Sequence, residues 1–137
     1  MAEPTPFSVL PHRAPFLLLD RTVEVGTDHG VFAKLVCAND PCIAADGTLP
    51  GVFVLEAMAQ AGGAVLASGG QSQRTAGPLA KVDGFRLHDA VRVGDELRVE
   101  ARLVRYTRGV SIFEARASVE GRLCAEARFS LAVPAIR

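Results

Sequence analysis

A long stretch of apolar and small residues, running from Leu49 to Gly70, constrains the fold of this chain more than any other feature. It reads LPGVFVLEAMAQAGGAVLASGG, and its only large polar side chains are those of Glu56 and Gln60. Pro50 suits the first position of a helix, and the closing Gly-Gly pair suits a helix end. A helix that is apolar on all sides belongs in a protein interior or a membrane.

The interruptions in this stretch favour the protein interior. A membrane span needs about 20 mainly apolar residues, whereas here Glu, Gln and two adjacent glycines interrupt the run. A glycine inside a helix costs about 1 kcal/mol relative to alanine, so the pair indicates close packing against a neighbouring element. Glu56 and Gln60 are four residues apart and therefore share one face of the helix.

The length and the charge balance limit the class of protein. The 137 residues fit one domain over 1–137, and the two prolines near the start predict a loose arm at 1–8. Fifteen basic and fifteen acidic residues cancel, so no basic surplus suggests nucleic acid. The three cysteines lack metal-ligand spacing and the N-terminal residues lack an export pattern, which favours reduced thiols in the cytoplasm. We see no motif for a cofactor or a metal.

The last third of the chain predicts antiparallel strands. Apolar and polar residues alternate through three segments, 97–103, 113–119 and 125–133, which are separated by T-R-G and E-G-R turns. This period of two indicates a meander with one solvated face.

Other strands are predicted earlier in the chain, at 16–25, 31–38 and 79–87. An irregular loop at 39–49 leads into the helix, and a polar linker at 69–77 follows it. Five or six strands and one buried helix together predict an α+β fold in which the sheet wraps the helix.

Three segments resemble the signatures of the beta-hydroxyacyl-acyl-carrier-protein dehydratases. They are LPHRAPFLLLDR at 10–21, LPGVFVLEAMAQA at 49–61 and FRLHDAVRVGDEL at 85–97. The resemblance implies the hotdog fold, in which an antiparallel sheet wraps a central helix and two protomers build active sites at their interface. It also implies a substrate carried on acyl carrier protein, and a homodimer or a larger oligomer.

The chain departs from that family at one catalytic position. The enzymes of fatty-acid synthesis carry a catalytic His in a G-H-F-P motif before the helix. Counted back without gaps from Glu56, the position of that His holds Cys42. The DGTLP sequence at 46–50 resembles a divergent branch of dehydratase-like proteins from aryl-polyene and polyketide clusters. The resemblance therefore implies that Glu56 is the catalytic carboxylate, and it does not supply the second group.

The residues of the helix suit the chemistry of dehydration. Removing water from a 3-hydroxyacyl thioester needs a base, an acid and donors for the thioester oxygen. The free N–H groups of Gly51 and Val52 at the helix start can be those donors, although an ordinary helix start has the same sequence. Glu56 is either the acid–base group or a structural carboxylate held by Gln60 or by an arginine such as Arg13. We expect Gln60 to belong to the substrate-binding site together with Gly51 and Val52, and to orient other groups rather than to react.

Several side chains are candidates for the second acid–base group. His12 is the best one because it lies in the family-like LPHR segment, and its alternative is a structural hydrogen bond. His29 and His88 lie in or near turns and are expected at the surface. Cys42 is either reactive or a buried inert thiol, and Asp46 is either a second carboxylate or part of a turn.

The function predicted from these features is dehydration of 3-hydroxyacyl thioesters on acyl carrier protein to trans-2-enoyl thioesters, in fatty-acid or polyketide-type synthesis. Two alternatives stay open. One is a thioesterase of the same fold, which would use a carboxylate to activate water. The other is a non-catalytic protein that binds an acyl carrier or completes a heterodimer.

Overall fold

An antiparallel sheet packs against a long central helix in the computed structural model, which describes residues 4–68 and 77–134. Two helices and eight strands lie within the described residues: α1 (Pro6–Val9), β1 (Arg21–Val25), β2 (His29–Leu35), β3 (Thr48–Leu49), α2 (Gly51–Ser68), β4 (Leu79–Leu87), β5 (Val91–Arg92), β6 (Glu96–Tyr106), β7 (Val110–Val119) and β8 (Arg122–Ala132). Six of these strands form the main sheet in the order β1-β2-β6-β7-β8-β4, and β3 pairs with β5. The α+β hotdog architecture expected from the sequence is confirmed.

Helix α2 is the predicted central helix, with bounds slightly different from those expected. It begins at Gly51 rather than at Pro50, whose carbonyl accepts hydrogen bonds from the N–H groups of Phe53 and Val54 at 2.9 and 3.3 Å. Its described part ends at Ser68. The predicted Gly-Gly stop and residues 69–76 of the predicted linker lie outside the described residues.

The packing of α2 explains one of its two internal glycines. A Cβ atom added at Gly62 would lie 3.3 Å from the rings of Phe113 and Phe129. These two rings are fully buried and stack with their centroids 5.6 Å apart. Gly62 therefore lets the sheet approach the helix more closely than alanine would.

Helix α2 is also long and apolar enough to span a membrane, if length and composition alone are considered. However, 61% of it is buried inside the fold. Its buried residues form one core with the inward side chains of the sheet. These contacts identify α2 as the core helix of the domain.

The first strand is shorter than its apolar pattern predicted. Strand β1 begins at Arg21, so residues 16–20 are not part of it. The N–H of Leu18 and the carbonyl of Phe16 instead hydrogen-bond to the side chain of Gln60. Strand β2 also begins and ends earlier than expected, at His29 and Leu35. The predicted loop at 39–49 contains the two-residue strand β3.

The predicted meander is confirmed. Strands β6, β7 and β8 are neighbours in the sheet and pair antiparallel over most of their length. Glu120 and Gly121 connect β7 to β8 with φ angles of 50° and 80°. Positive φ at both central residues is the geometry of a tight hairpin turn. Strand β4 has the bounds predicted for it.

The N-terminal stretch is more ordered than a loose arm over its described part. Thr5 caps α1, accepting a hydrogen bond on its side chain from the N–H of Ser8, and Pro6 is buried. The hydroxyl of Thr22 on β1 donates to the carbonyl of Pro4 at 2.7 Å. Residues 1–3 lie outside the described residues, and the division into a single domain stays a prediction.

Candidate active site

The start of α2 presents unused backbone donors, as the sequence predicted. Among the described residues, the N–H groups of Gly51 and Val52 have no hydrogen-bond acceptor. The free N–H groups and the helix dipole both favour an oxygen with negative charge at this position. Val52 is 65% exposed, so this end of the helix reaches the surface.

One face of α2 leads from this exposed end into the core. Val52, Glu56 and Gln60 follow one another at intervals of four residues, which places them on the same face in successive turns. Val52 is exposed, Glu56 is half-buried and Gln60 is only 2% exposed. The carboxylate of Glu56 therefore lies at the boundary between solvent and core, one turn from the free N–H groups.

Glu56 is not held by Gln60 or Arg13, the two residues named as examples of structural partners. It makes no hydrogen bond or ion pair with the described part of the chain. Arg13 instead donates to the carbonyls of Leu10 and His12, at 2.9 and 2.6 Å, and lies over the ring of Phe7. Within residues 4–68 and 77–134, the Glu56 carboxyl group thus has no partner that would keep it from contacting a substrate or a second chain.

The hydrogen bonds of the Gln60 side chain go neither to Glu56 nor to the start of the helix. Its Oε1 accepts from the N–H of Leu18 at 2.9 Å, and its Nε2 donates to the carbonyl of Phe16 at 2.7 Å. Because the Gln60 side chain is buried and makes both bonds, it has little freedom to reorient. It orients the backbone before β1, which sequence reasoning did not identify because the partners are more than forty residues away.

His12 has an unsatisfied ring nitrogen. The Nδ1 atom is buried and has no hydrogen-bond partner among the described residues. Since buried polar atoms are usually paired, such an atom needs an explanation. The structural hydrogen bond that was the alternative reading of His12 is not made through Nδ1.

The other two histidines lie within hydrogen-bond distance of glutamates on the solvated side of the sheet. His29 Nε2 is 3.0 Å from Glu100 Oε2, and His88 Nε2 is 2.6 Å from Glu126 Oε2. His29 is the first residue of β2 and is half-buried, so its predicted place in a turn was wrong. His88 is exposed, as expected.

A charged groove of about 780 Å³ occupies the same side of the sheet. Glu114 accepts hydrogen bonds there from Arg102 and Arg128, each at 2.9 Å. The groove is lined by ion pairs on the strands and does not include the start of α2. We therefore place the candidate active site at the helix start rather than in this groove.

Asp46 has the features of a turn residue. It is exposed, and it accepts hydrogen bonds from the hydroxyl and the N–H of Thr48 at 2.6 and 3.1 Å. These bonds from Thr48 hold the pKa of Asp46 below its usual value. The carboxylate is thus committed to shaping the loop that leads into α2, and Gly47 beside it takes a φ of 84°.

Comparisons with known proteins identify the family of this chain. The family model described as ApeP-like (ApeP dehydratase) matches residues 4–136. A 3-hydroxyacyl-[acyl-carrier-protein] dehydratase FabZ from Chloroflexus aggregans is 41% identical over 133 residues, covering 92% of this chain and 91% of the relative. The chain belongs to the ApeP-like dehydratase family.

Two solved structures share the fold. The dehydratase heterocomplex ApeI:P from Xenorhabdus doucetiae matches with a TM-score of 0.87 and 26% identity, over 97% of this chain and 93% of that one. A hypothetical thioesterase protein from Streptococcus pneumoniae, solved with coenzyme A, has a TM-score of 0.71 and 19% identity, over 85% of this chain and 87% of that one. The second likeness supports the fold alone.

One feature of this family member was not found from the sequence. Phe85 and Leu87 of β4 lie over the start of α2, since a Cβ atom added at Gly51 would be 3.4 and 3.5 Å from them. Cys42, a candidate from the sequence, is half-buried and packs against the core. Within the described residues no cluster of His, Cys, Asp or Glu side chains could hold a metal ion.

Proposed function

We propose that this protein dehydrates 3-hydroxyacyl thioesters carried by acyl carrier protein, forming trans-2-enoyl thioesters. The observation that carries the proposal is the carboxyl group of Glu56 on the core helix, which has no partner in the described part of the chain and lies one turn from the free N–H groups of Gly51 and Val52. The relatives named as 3-hydroxyacyl-[acyl-carrier-protein] dehydratases support the same substrate class.

The reaction needs three contributions, and the helix supplies at least two. The N–H groups of Gly51 and Val52 bind the thioester oxygen and stabilise the negative charge that develops when the α-proton is removed. Glu56 and a second group share the two proton transfers. One takes the proton from the α-carbon, and the other protonates the hydroxyl group, which leaves from the β-carbon as water while the C=C bond forms.

His12 is the second group that this chain offers. His29 and His88 are paired with glutamates on the other side of the sheet, and Asp46 is bound by Thr48. The unpaired, buried Nδ1 atom of His12 supports its assignment to the site.

The exposed edge of the sheet supports an oligomer that assembles through β4. Val82, Phe85 and Leu87 pair with buried residues of β8 and thus lie on the core side of the sheet. Even so, Val82 and Leu87 are 38% and 46% exposed. A second chain paired along β4 would cover these side chains and the unpaired backbone edge.

We place the assembled enzyme in the cytoplasm.

A second candidate function is that of a heterodimer partner. The family resemblance implies a histidine where an ungapped count from Glu56 gives Cys42, and a solved relative is described as a dehydratase heterocomplex. In a site shared between two chains, a partner chain would supply the imidazole to Glu56 of this one. The thioesterase alternative is supported by likeness of fold alone.

Turnover of a 3-hydroxyacyl group on acyl carrier protein separates the candidates. We expect the purified protein to produce the enoyl thioester, which is detected by its ultraviolet absorbance and by a loss of the mass of water. Hydrolysis to the free acid would indicate a thioesterase. No reaction alone, but dehydration after a histidine-bearing homologue is added, would establish the heterodimer partner.

A further inference from the structure

We propose that Gln60 is a positioning residue that clamps residues 11–18, here called the His12 segment, onto α2 and thereby places His12 in the active site. The inference rests on the proposed function for the role of His12. The clamp itself rests on geometry alone. Gln60 touches neither Glu56 nor the helix start, so its effect on the reaction is exerted through the segment it holds.

Leu17 and Leu18 of the His12 segment pack against the core, but the segment has few other hydrogen bonds. Within it, the N–H of Phe16 donates to the carbonyl of Arg13 at 2.8 Å, and Arg13 donates to the carbonyl of His12. Arg13 also donates to Leu10, which directly precedes the segment. Among the described residues, the hydrogen bonds that join the segment to a more distant part of the chain are the two made by Gln60.

The side-chain amide of Gln60 matches both of these bonds. The N–H of Leu18 needs an acceptor and the carbonyl of Phe16 needs a donor, and the primary amide of Gln60 supplies one of each. A methionine would supply neither. An ionised glutamate would keep the acceptor and place a negative oxygen against the Phe16 carbonyl. This requirement explains why a polar residue that is 2% exposed lies within an otherwise apolar helix.

The clamp lies one helical turn from the proposed catalytic carboxylate. Glu56 and Gln60 share a helix face, with Cβ atoms on the order of 5–6 Å apart for this spacing. The Gln60 bonds hold the C-terminal end of the segment against that face, and His12 lies near its other end. If the clamp is lost, the segment can move relative to Glu56. A shift of about 1 Å in a catalytic group is enough to lower turnover severely.

The first experiment measures amide hydrogen exchange in Gln60→Met, with Met58→Leu as the matched control. Met58 is fully buried on the same helix, and a Met-to-Leu change nearly preserves volume. We expect the Leu18 amide to exchange at least about tenfold faster in Gln60→Met, because its acceptor is gone. The buried β7 amides should be unchanged in both variants. Trypsin cleavage after the exposed Arg13 should accelerate in parallel.

The second experiment measures turnover of the 3-hydroxyacyl thioester in two backgrounds. Gln60→Met should lower kcat about tenfold or more in the wild-type background and cause little further loss in a His12→Ala background. A purely structural role would instead lower kcat by a similar factor in both. Gln60→Glu, which keeps one of the two bonds, should give an intermediate loss and serves as the test variant if Gln60→Met does not fold.

Two results would overturn the proposal. One is unchanged exchange of the Leu18 amide in Gln60→Met, which would show that the segment is held without Gln60. The other is an equal loss of kcat in the wild-type and His12→Ala backgrounds. If the wild-type protein dehydrates no substrate, the proposed function fails, and the exchange rate of Leu18 still decides whether Gln60 is the clamp.

Discussion

At the scale of single residues, the polar side chains of the core have very different environments. Gln60 is buried with both of its hydrogen-bonding groups satisfied, whereas Glu56, one turn away, is half-buried and makes no hydrogen bond to the described residues. Among the same residues, a buried nitrogen atom of His12 has no partner. A satisfied buried group stabilises the fold, while an unsatisfied one indicates a place where a ligand or another chain binds.

Substitution of the two proposed acid–base groups should abolish most activity. We expect Glu56→Gln and His12→Ala each to lower kcat by about a hundredfold or more, because positioned acid–base groups contribute that much. The double variant should be little worse than either single one, because the two groups act as a unit. The steady-state rate of enoyl formation measures all three.

Matched surface variants serve as controls for this prediction. Glu24→Gln on β1 and His88→Ala change the same residue types at exposed positions and should retain full activity. Thermal unfolding checks that each variant is folded. Full activity in His12→Ala together with loss in Glu56→Gln would mean that another donor, such as water or a histidine of a partner chain, completes the site.

A buried ion pair beside the loop that precedes α2 should be important for stability. Lys34 Nζ lies 3.1 Å from Asp40 Oδ2, and the Lys34 side chain is 4% exposed. Asp40 also accepts from the N–H of Cys37 at 2.9 Å. Asp40→Ala leaves a buried ammonium unpaired, so we expect the free energy of unfolding to fall by about 3–5 kcal/mol. Urea denaturation measures this change.

The exposed pair between Arg21 and Glu96 is the control for this prediction. Both side chains are about half exposed, and their atoms are 3.2 Å apart. Glu96→Ala should lower the free energy of unfolding by less than about 1 kcal/mol, as is usual at the surface. Equal losses for Asp40→Ala and Glu96→Ala would contradict the assignment of Lys34 as a buried, pair-dependent charge.

At the scale of elements, close packing of α2 on the sheet depends on the absence of a side chain at Gly62. Alanine there would improve helix propensity by about 1 kcal/mol. It would also place a methyl group 3.3 Å from two stacked, fully buried rings that have little room to move. Because overpacking costs about 1–3 kcal/mol, we expect a net loss of stability in Gly62→Ala, measured as a lower Tm.

An exposed position on the same helix isolates the effect of propensity. Ala67 is exposed near the end of α2, so Ala67→Gly should cost only the intrinsic preference of about 1 kcal/mol. A Tm for Gly62→Ala above that of the wild type would show that Phe113 and Phe129 can move to accept the methyl group.

At the scale of the whole molecule, the two edges of the sheet differ. Strand β1 forms one edge with five residues, and β4 forms the other with nine. The β4 edge combines a long unpaired backbone with partly exposed apolar side chains on its core side. Such an edge favours association with another strand.

The oligomer should therefore depend on β4. We expect the wild-type protein to be at least a dimer in light scattering at micromolar concentration, and Val82→Lys to shift it toward monomer, because a charge would be buried at the proposed interface. Val93→Lys is the matched control, since Val93 has nearly the same exposure, 39% against 38%, and lies outside β4. A stable wild-type monomer would count against this assembly.

The sequence by itself determined the central helix, the meander and the residues that α2 presents. These features follow from local periodicity: a run that is apolar on all sides must be buried, and a period of two leaves one face of a strand in the core. The spacing of four between Glu56 and Gln60 likewise fixed their shared face. Family resemblance added the fold and the expected chemistry.

Only the tertiary structure decided which polar groups meet. An apolar run at 16–20 predicted a strand, but its backbone binds Gln60, which lies more than forty residues along the chain. Arg13 was a candidate partner of Glu56, but it closes a local turn instead. Hydrogen bonds between distant segments depend on how the sheet places them around α2, and local patterns of hydrophobicity contain no information about that placement.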